Sequence, residues 1–143
     1  MKLRIAILLP IGIASVAMLN ANAAEEGEAE ISLTEKQQSI LDKALAGRTA
    51  GKAVTCISQT RDKRMTVVSD DIIIFGHARG KQTIYVNKPA GGCRKLKDNT
   101  LVSVRPSPRL CSGDIARIED FQSGTPVGSC AFSEFIPYSR NKK

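Results

Sequence analysis

Tryptophan is absent from this sequence, histidine occurs once, and close cysteine pairs do not occur. The lone His77, with no Asp/Glu/His ligand cluster beside it, makes no convincing metal site. Cys56, Cys93, Cys111 and Cys130 are separated by 36, 17 and 18 residues, unlike the C-x-x-C spacing of zinc ligands. Neither a metal nor any other cofactor is expected. Beyond residue 23 only six aromatics remain (Phe75, Tyr85, Phe121, Phe132, Phe135 and Tyr138), and almost none is interleaved with the basic residues. That argues against stacking on single-stranded nucleic acid, and nucleic acid is not an expected partner. A nucleotide-binding loop is missing too. Gly47-Arg48-Thr49-Ala50-Gly51-Lys52-Ala53 has three residues between its glycines, no Ser or Thr after the lysine, and a helical pattern before it rather than after. It reads as a linker.

Long apolar runs are also scarce. The longest, Ile5–Met18, is interrupted by Ser15 and broken by Pro10 and Gly12. It is shorter than the roughly 20 residues a membrane-spanning helix needs. With Lys2 and Arg4 ahead of it and Ala21 and Ala23 behind, it has the layout of a secretory signal peptide cleaved after Ala23. The expected organisation is signal peptide 1–23, acidic disordered leader 24–31, helix 32–47 and a disulfide-stapled β domain 53–138. The expected location is the periplasm or the exterior, with no transmembrane span after cleavage. Loss of Lys2 and Arg4 lowers the net charge from +7 to +5.

Four cysteines in an exported chain imply two disulfides. Three connectivities are possible. The favoured one joins Cys56 to Cys130, tying the first strand to the last, and Cys93 to Cys111, closing the loop before Leu101–Val104.

Ser32–Gly47 is the clear helix. Ser32/Glu35 and Thr34/Gln37 both match a capping box, Ile40, Leu41, Ala44 and Leu45 form one stripe, and Gly47 stands at the C′ position. Beyond it β signals dominate. Ile72-Ile73-Ile74-Phe75 does not alternate, as expected of a strand covered on both faces. A Gly80-bearing turn leads to Thr83–Val86, which suggests a hairpin. Other expected strands are Val54–Gln59, Met65–Ser69, Leu101–Arg105, Asp114–Asp120 and Cys130–Ile136. The fold expected is mainly β: a six- to seven-stranded curled sheet or partly open barrel with one N-terminal helix and two disulfides.

Basic residues gather at Arg61-Lys63-Arg64, Arg94-Lys95-Lys97, Arg105 and Arg109, and Arg140-Lys142-Lys143. Arg94, Lys95, Lys97, Arg105 and Arg109 are the candidates for an anion-binding face. No catalytic set converges in the sequence. The leading expectation is therefore a non-catalytic exported domain binding an anionic envelope component or another protein. One alternative is a small periplasmic hydrolase using His77 with Ser69, Asp70 or Asp71, or paired carboxylates from Glu119, Asp120 and Glu134. Another is an inhibitor of an exported enzyme presenting Lys88–Cys93.

The chain also resembles a known group of proteins. Leu45-Ala46-Gly47-Arg48, Val54-x-Cys56-Ile57, Ile84-Tyr85-Val86-Asn87, Gly92-Cys93, Leu110-Cys111-x-Gly113-Asp114, Gly128-Ser129-Cys130 and Phe135-x-Pro137-Tyr138 occur in an order that resembles a family of small exported proteins of Gram-negative bacteria, a domain of unknown function. The resemblance spans roughly Leu45 to Tyr138. It implies export and a single domain, and brings no activity or site residue.

Overall fold

The computed structural model describes residues 31–58, 64–77, 82–103 and 108–140. The expected signal peptide, nearly all of the expected acidic leader, Gly80, Arg105 and the basic residues at 61–63 and 142–143 lie outside the described residues. In chain order the elements are α1 (Glu35–Leu45), β1 (Arg48–Ala50), β2 (Cys56–Ser58), β3 (Met65–Ser69), β4 (Ile72–Phe75), β5 (Ile84–Asn87), a 3-10 turn (Leu96–Asp98), β6 (Thr100–Val102), β7 (Arg109–Cys111), β8 (Ile115–Glu119), β9 (Pro126–Ala131) and β10 (Phe135–Arg140).

The protein is mainly β, with one α-helix among the described residues. The single curled sheet or barrel is corrected. Among the described residues ten strands form three antiparallel sheets, ordered β1-β10-β5-β4-β3, β2-β7 and β6-β8-β9. β4 explains the arrangement. Ile72 and Ile74 join a core with Val68, Ile84, Val86 and Ala44 of α1; Ile73 and Phe75 join a second core with Ile57, Leu96, Leu110, Ala116, Ile118, Phe132 and Phe135. Successive residues of a strand face opposite ways. An apolar run without alternation therefore serves two cores, one under the helix and one under the two smaller sheets. All four side chains are at most 4% exposed. In the second core Phe75 meets Phe132 and Phe135 edge-on, at 5.9 and 5.8 Å between ring centres. Each such contact adds about 0.5–1.5 kcal/mol beyond the area buried.

The helix lies on the large sheet, as its stripe requires: Ile40, Leu41 and Leu45 pack on the first core. The working capping box is Thr34 with Gln37, not Ser32 with Glu35. Gly47, at φ +68°, holds the C′ position. Ile31, assigned to the leader, packs on the same core.

Several boundaries differ. Arg48–Ala50, read as linker, is β1, an edge strand paired with β10. Cys130–Ile136, read as one strand, is the end of β9 and the start of β10. The chain turns between them because Asn87, fully buried, donates from Nδ2 to the carbonyls of Ser133 and Glu134 at 2.7 and 3.1 Å. Pro137, expected to end the strand, sits inside β10. Its carbonyl accepts from Gly51, just past the end of β1, so its missing N–H forfeits only a bond at a strand end.

The disulfide pairing is corrected as well: Cys56 bonds Cys111 and Cys93 bonds Cys130. Cys56 and Cys111 are opposite one another in the β2–β7 ladder. Ala90 bridges Ala131, which brings the following Cys93 to Cys130 in β9. The expected first strand, Val54–Gln59, meets the expected last one only through the Val54–Phe135 bridge, and no disulfide joins them. No cysteine among the described residues is free.

Cys56 and Cys111 are half-buried, while Cys93 and Cys130 are 0% and 6% exposed. A thiol reductant added to the folded protein must reach a sulfur before it can exchange. Mass mapping after brief treatment should find Cys56–Cys111 opened first and Cys93–Cys130 intact until the protein unfolds. Simultaneous opening of both would contradict this burial.

Candidate functional site

Arg94, Lys95 and Lys97 come together on one loop, between β5 and β6. Its backbone is held at several points. The Cys93 N–H donates to the Asp70 carbonyl at 2.6 Å, and the Lys95 N–H donates to Asp70 Oδ2 at 3.1 Å. Asn99 Nδ2 donates to the Lys95 carbonyl at 2.7 Å. Leu96 is buried beneath, and the Cys93–Cys130 bond fixes the loop to β9. Gly92 is needed for this docking: at φ +72° its backbone suits glycine, and an added Cβ would lie 2.5 Å from Asp71 Oδ1. Lys95 adopts the left-handed conformation, φ 71°, the one described non-glycine residue with positive φ. Such a residue costs on the order of 1 kcal/mol and persists only where its surroundings enforce it. The bonds to Asp70 and Asn99 enforce it here. The result is a rigid platform with three exposed cations.

The rest of the expected anion-binding face does not assemble in the same way. Arg109 belongs to β7, opposite Ser58 of β2, in a different sheet. Asp70 lies under the cationic loop and Asp98 within it, so part of its positive charge is offset locally.

The alternative constellations are spread out. His77 follows the Phe75 end of β4, while Ser69, Asp70 and Asp71 precede its Ile72 end. The four residues of β4, at about 3.3 Å of rise each, lie between them. Glu134 precedes Phe135, which is opposite Asn87 and therefore in the row of Ile73, also away from His77. Glu119 ends β8, whereas Glu134 follows Ala131, which is opposite Ile115 at the other end of that strand. In the Lys88–Cys93 segment Lys88, Ala90 and Gly91 are exposed, Pro89 and Cys93 are buried, and Ala90 is bridged to Ala131. Among the described residues no group of three or more His, Cys, Asp or Glu is placed to hold a metal ion. No helix among them is long and apolar enough to cross a membrane.

A second surface was missed in the sequence. Ala116 and Ile118 of β8 point into the core, so Ile115, Arg117 and Glu119 occupy the outer face of the three-stranded sheet. With Val102 they line a shallow depression of about 220 Å³. Ile115 is 68% exposed, and Phe121, in the turn just beyond β8, is 82% exposed. The signal was an isoleucine sharing the charged phase of an alternating strand.

No family model, curated protein or solved structure matches the chain.

The turn carrying Phe121 is ordered by Asp120. Its Oδ1 accepts from the Gln122 N–H, the Ser123 N–H and the Ser123 hydroxyl at 3.1, 2.8 and 2.9 Å. Bonds to Ser123, from its backbone and then its side chain, hold the Asp120 carboxyl below its ordinary range. A carboxyl lowered on folding stabilises the turn above its unfolded pKa, and that stabilisation fades as pH falls through the lowered value. An NMR titration should show Asp120 titrating below the ordinary aspartate range, and Ser123→Ala should raise it part of the way back. An unchanged pKa in Ser123→Ala would contradict the role of that hydroxyl.

Proposed function

We propose that this chain is a non-catalytic exported domain, related to the resembling family of exported proteins, that binds an anionic component of the cell envelope through Arg94, Lys95 and Lys97. One observation carries the reading: three exposed cations stand on a single disulfide-anchored loop, with Lys95 held in a left-handed conformation by Asp70 and Asn99. A flexible run of surface lysines kept only for solubility needs no such backbone. Preorganised cations lose less freedom on meeting a phosphate or carboxylate surface. Export supplies the compartment, and two disulfides suit it. The spread of His77, Glu119 and Glu134 over separate ends of the strands gives the hydrolase reading no comparable support.

The test is cosedimentation of the oxidised protein with lipopolysaccharide or with vesicles rich in anionic phospholipid. Each basic residue near an anionic surface contributes about 1 kcal/mol, so Arg94→Ala/Lys95→Ala/Lys97→Ala should weaken binding by roughly a hundredfold. Added salt should weaken the wild type and leave the variant little changed. Binding that survives the triple substitution, or no binding to either anionic surface, would refute the proposal.

A further inference from the structure

The outer face of β8, with the turn just beyond it, carries a pattern that is complementary to its own reverse. In chain order it runs Ile115, Arg117, Glu119, Phe121: apolar, positive, negative, apolar. Its midpoint is Ile118, whose own side chain is buried on the opposite face. The Arg117 and Glu119 side chains make no hydrogen bond or ion pair among the described residues. Ile115 and Phe121 are the two most exposed large apolar residues of the described chain.

We infer that this face is an isologous interface for a second copy of the chain. In a two-fold dimer, residue i meets j and j meets i. A two-fold axis at Ile118, lying between stacked sheets and perpendicular to the strands, sets β8 antiparallel to its copy. Arg117 then faces the partner's Glu119, and Ile115 faces the partner's Phe121. The same operation gives the complementary pair of contacts, so both charges and both apolar side chains are matched at once. The depression bounded by Val102, Ile115, Arg117 and Glu119 lies where the incoming phenyl ring arrives. The Asp120 bonds hold the turn that presents Phe121, which limits the ordering cost of association. A different protein would need its own matching sequence of charges; a second copy already has it. Stacked sheets stand about 10 Å apart, within reach of these side chains.

Three strands make a face roughly 14 Å across and about 17 Å long. That is below the standard interface of about 800 Å² per partner, so association belongs in the micromolar range. This inference does not depend on the anionic ligand.

Sedimentation velocity of the oxidised protein from roughly 1 µM to 1 mM should show a monomer passing into a dimer. Arg117→Glu alone and Glu119→Arg alone each place like charges across the axis, and each should weaken self-association at least about tenfold. Mixed in equal amounts, the two variants are complementary and should recover the dimer. Recovery also shows that both chains are folded. Phe121→Ala should weaken the dimer at least about tenfold. A wild type that stays monomeric over the whole range overturns the inference. So does a dimer indifferent to these substitutions, or a mixture that recovers nothing.

Discussion

The structure depends on the burial of one short strand from both sides. Ile72 and Ile74 are enclosed under α1, while Ile73 and Phe75 are enclosed under the smaller sheets. Full burial of each such side chain stabilises by about 1.5–3 kcal/mol relative to exposure. Among the described residues no other strand combines four consecutive buried residues. Without β4 the helix has no sheet to cover, and the Phe75–Phe132–Phe135 cluster loses the ring that both others meet edge-on. Layers of secondary structure must each find a partner for their apolar faces, and here one strand partners two.

The two candidate surfaces hang from the same small sheet. β9 carries Cys130, which holds the Arg94–Lys97 loop, and β9 pairs along its length with β8, whose outer face bears Arg117 and Glu119. Gly128 of β9 has the Arg94 carbonyl close by, 3.6 Å from where a Cβ would stand. The buried disulfide therefore fixes a cationic loop against a strand whose neighbour carries the self-complementary pattern. A dimer formed through β8 would bring two such loops into one assembly, and paired weak sites on an extended anionic surface bind far more tightly than either alone.

What was legible in the sequence follows from range. β3 and β4 were readable from residue type, the β4–β5 antiparallel pair from the Gly80 signal between two β-rich runs, and α1 from its stripe and cap. β8 was readable from its shortness and the strand signals on either side, and Ala116 and Ile118 alternate into the core. β1, β2 and β7 were not readable, or only roughly so, since three residues carry too little periodicity. The disulfide pairing was out of reach for a related reason: it follows from β2 choosing β7, a contact between distant segments. The turn at Ser133–Glu134 depends on a buried amide 46 residues earlier. The cationic loop was visible as a cluster, but the strain at Lys95 and the separation of Arg109 belong to tertiary structure. The outer face of β8 was present as alternation and passed over, because an exposed isoleucine is ordinary until its neighbours are known.

Native-state amide hydrogen exchange at Ile73 and Ile74 tests the two-sided burial most directly. If β4 joins both cores, these amides exchange only when the whole domain unfolds. Their exchange free energy then equals that of global unfolding and is matched by few other sites. Exchange of Ile73 and Ile74 through a cheaper local opening, with α1 or the three-stranded sheet still protected, would contradict it.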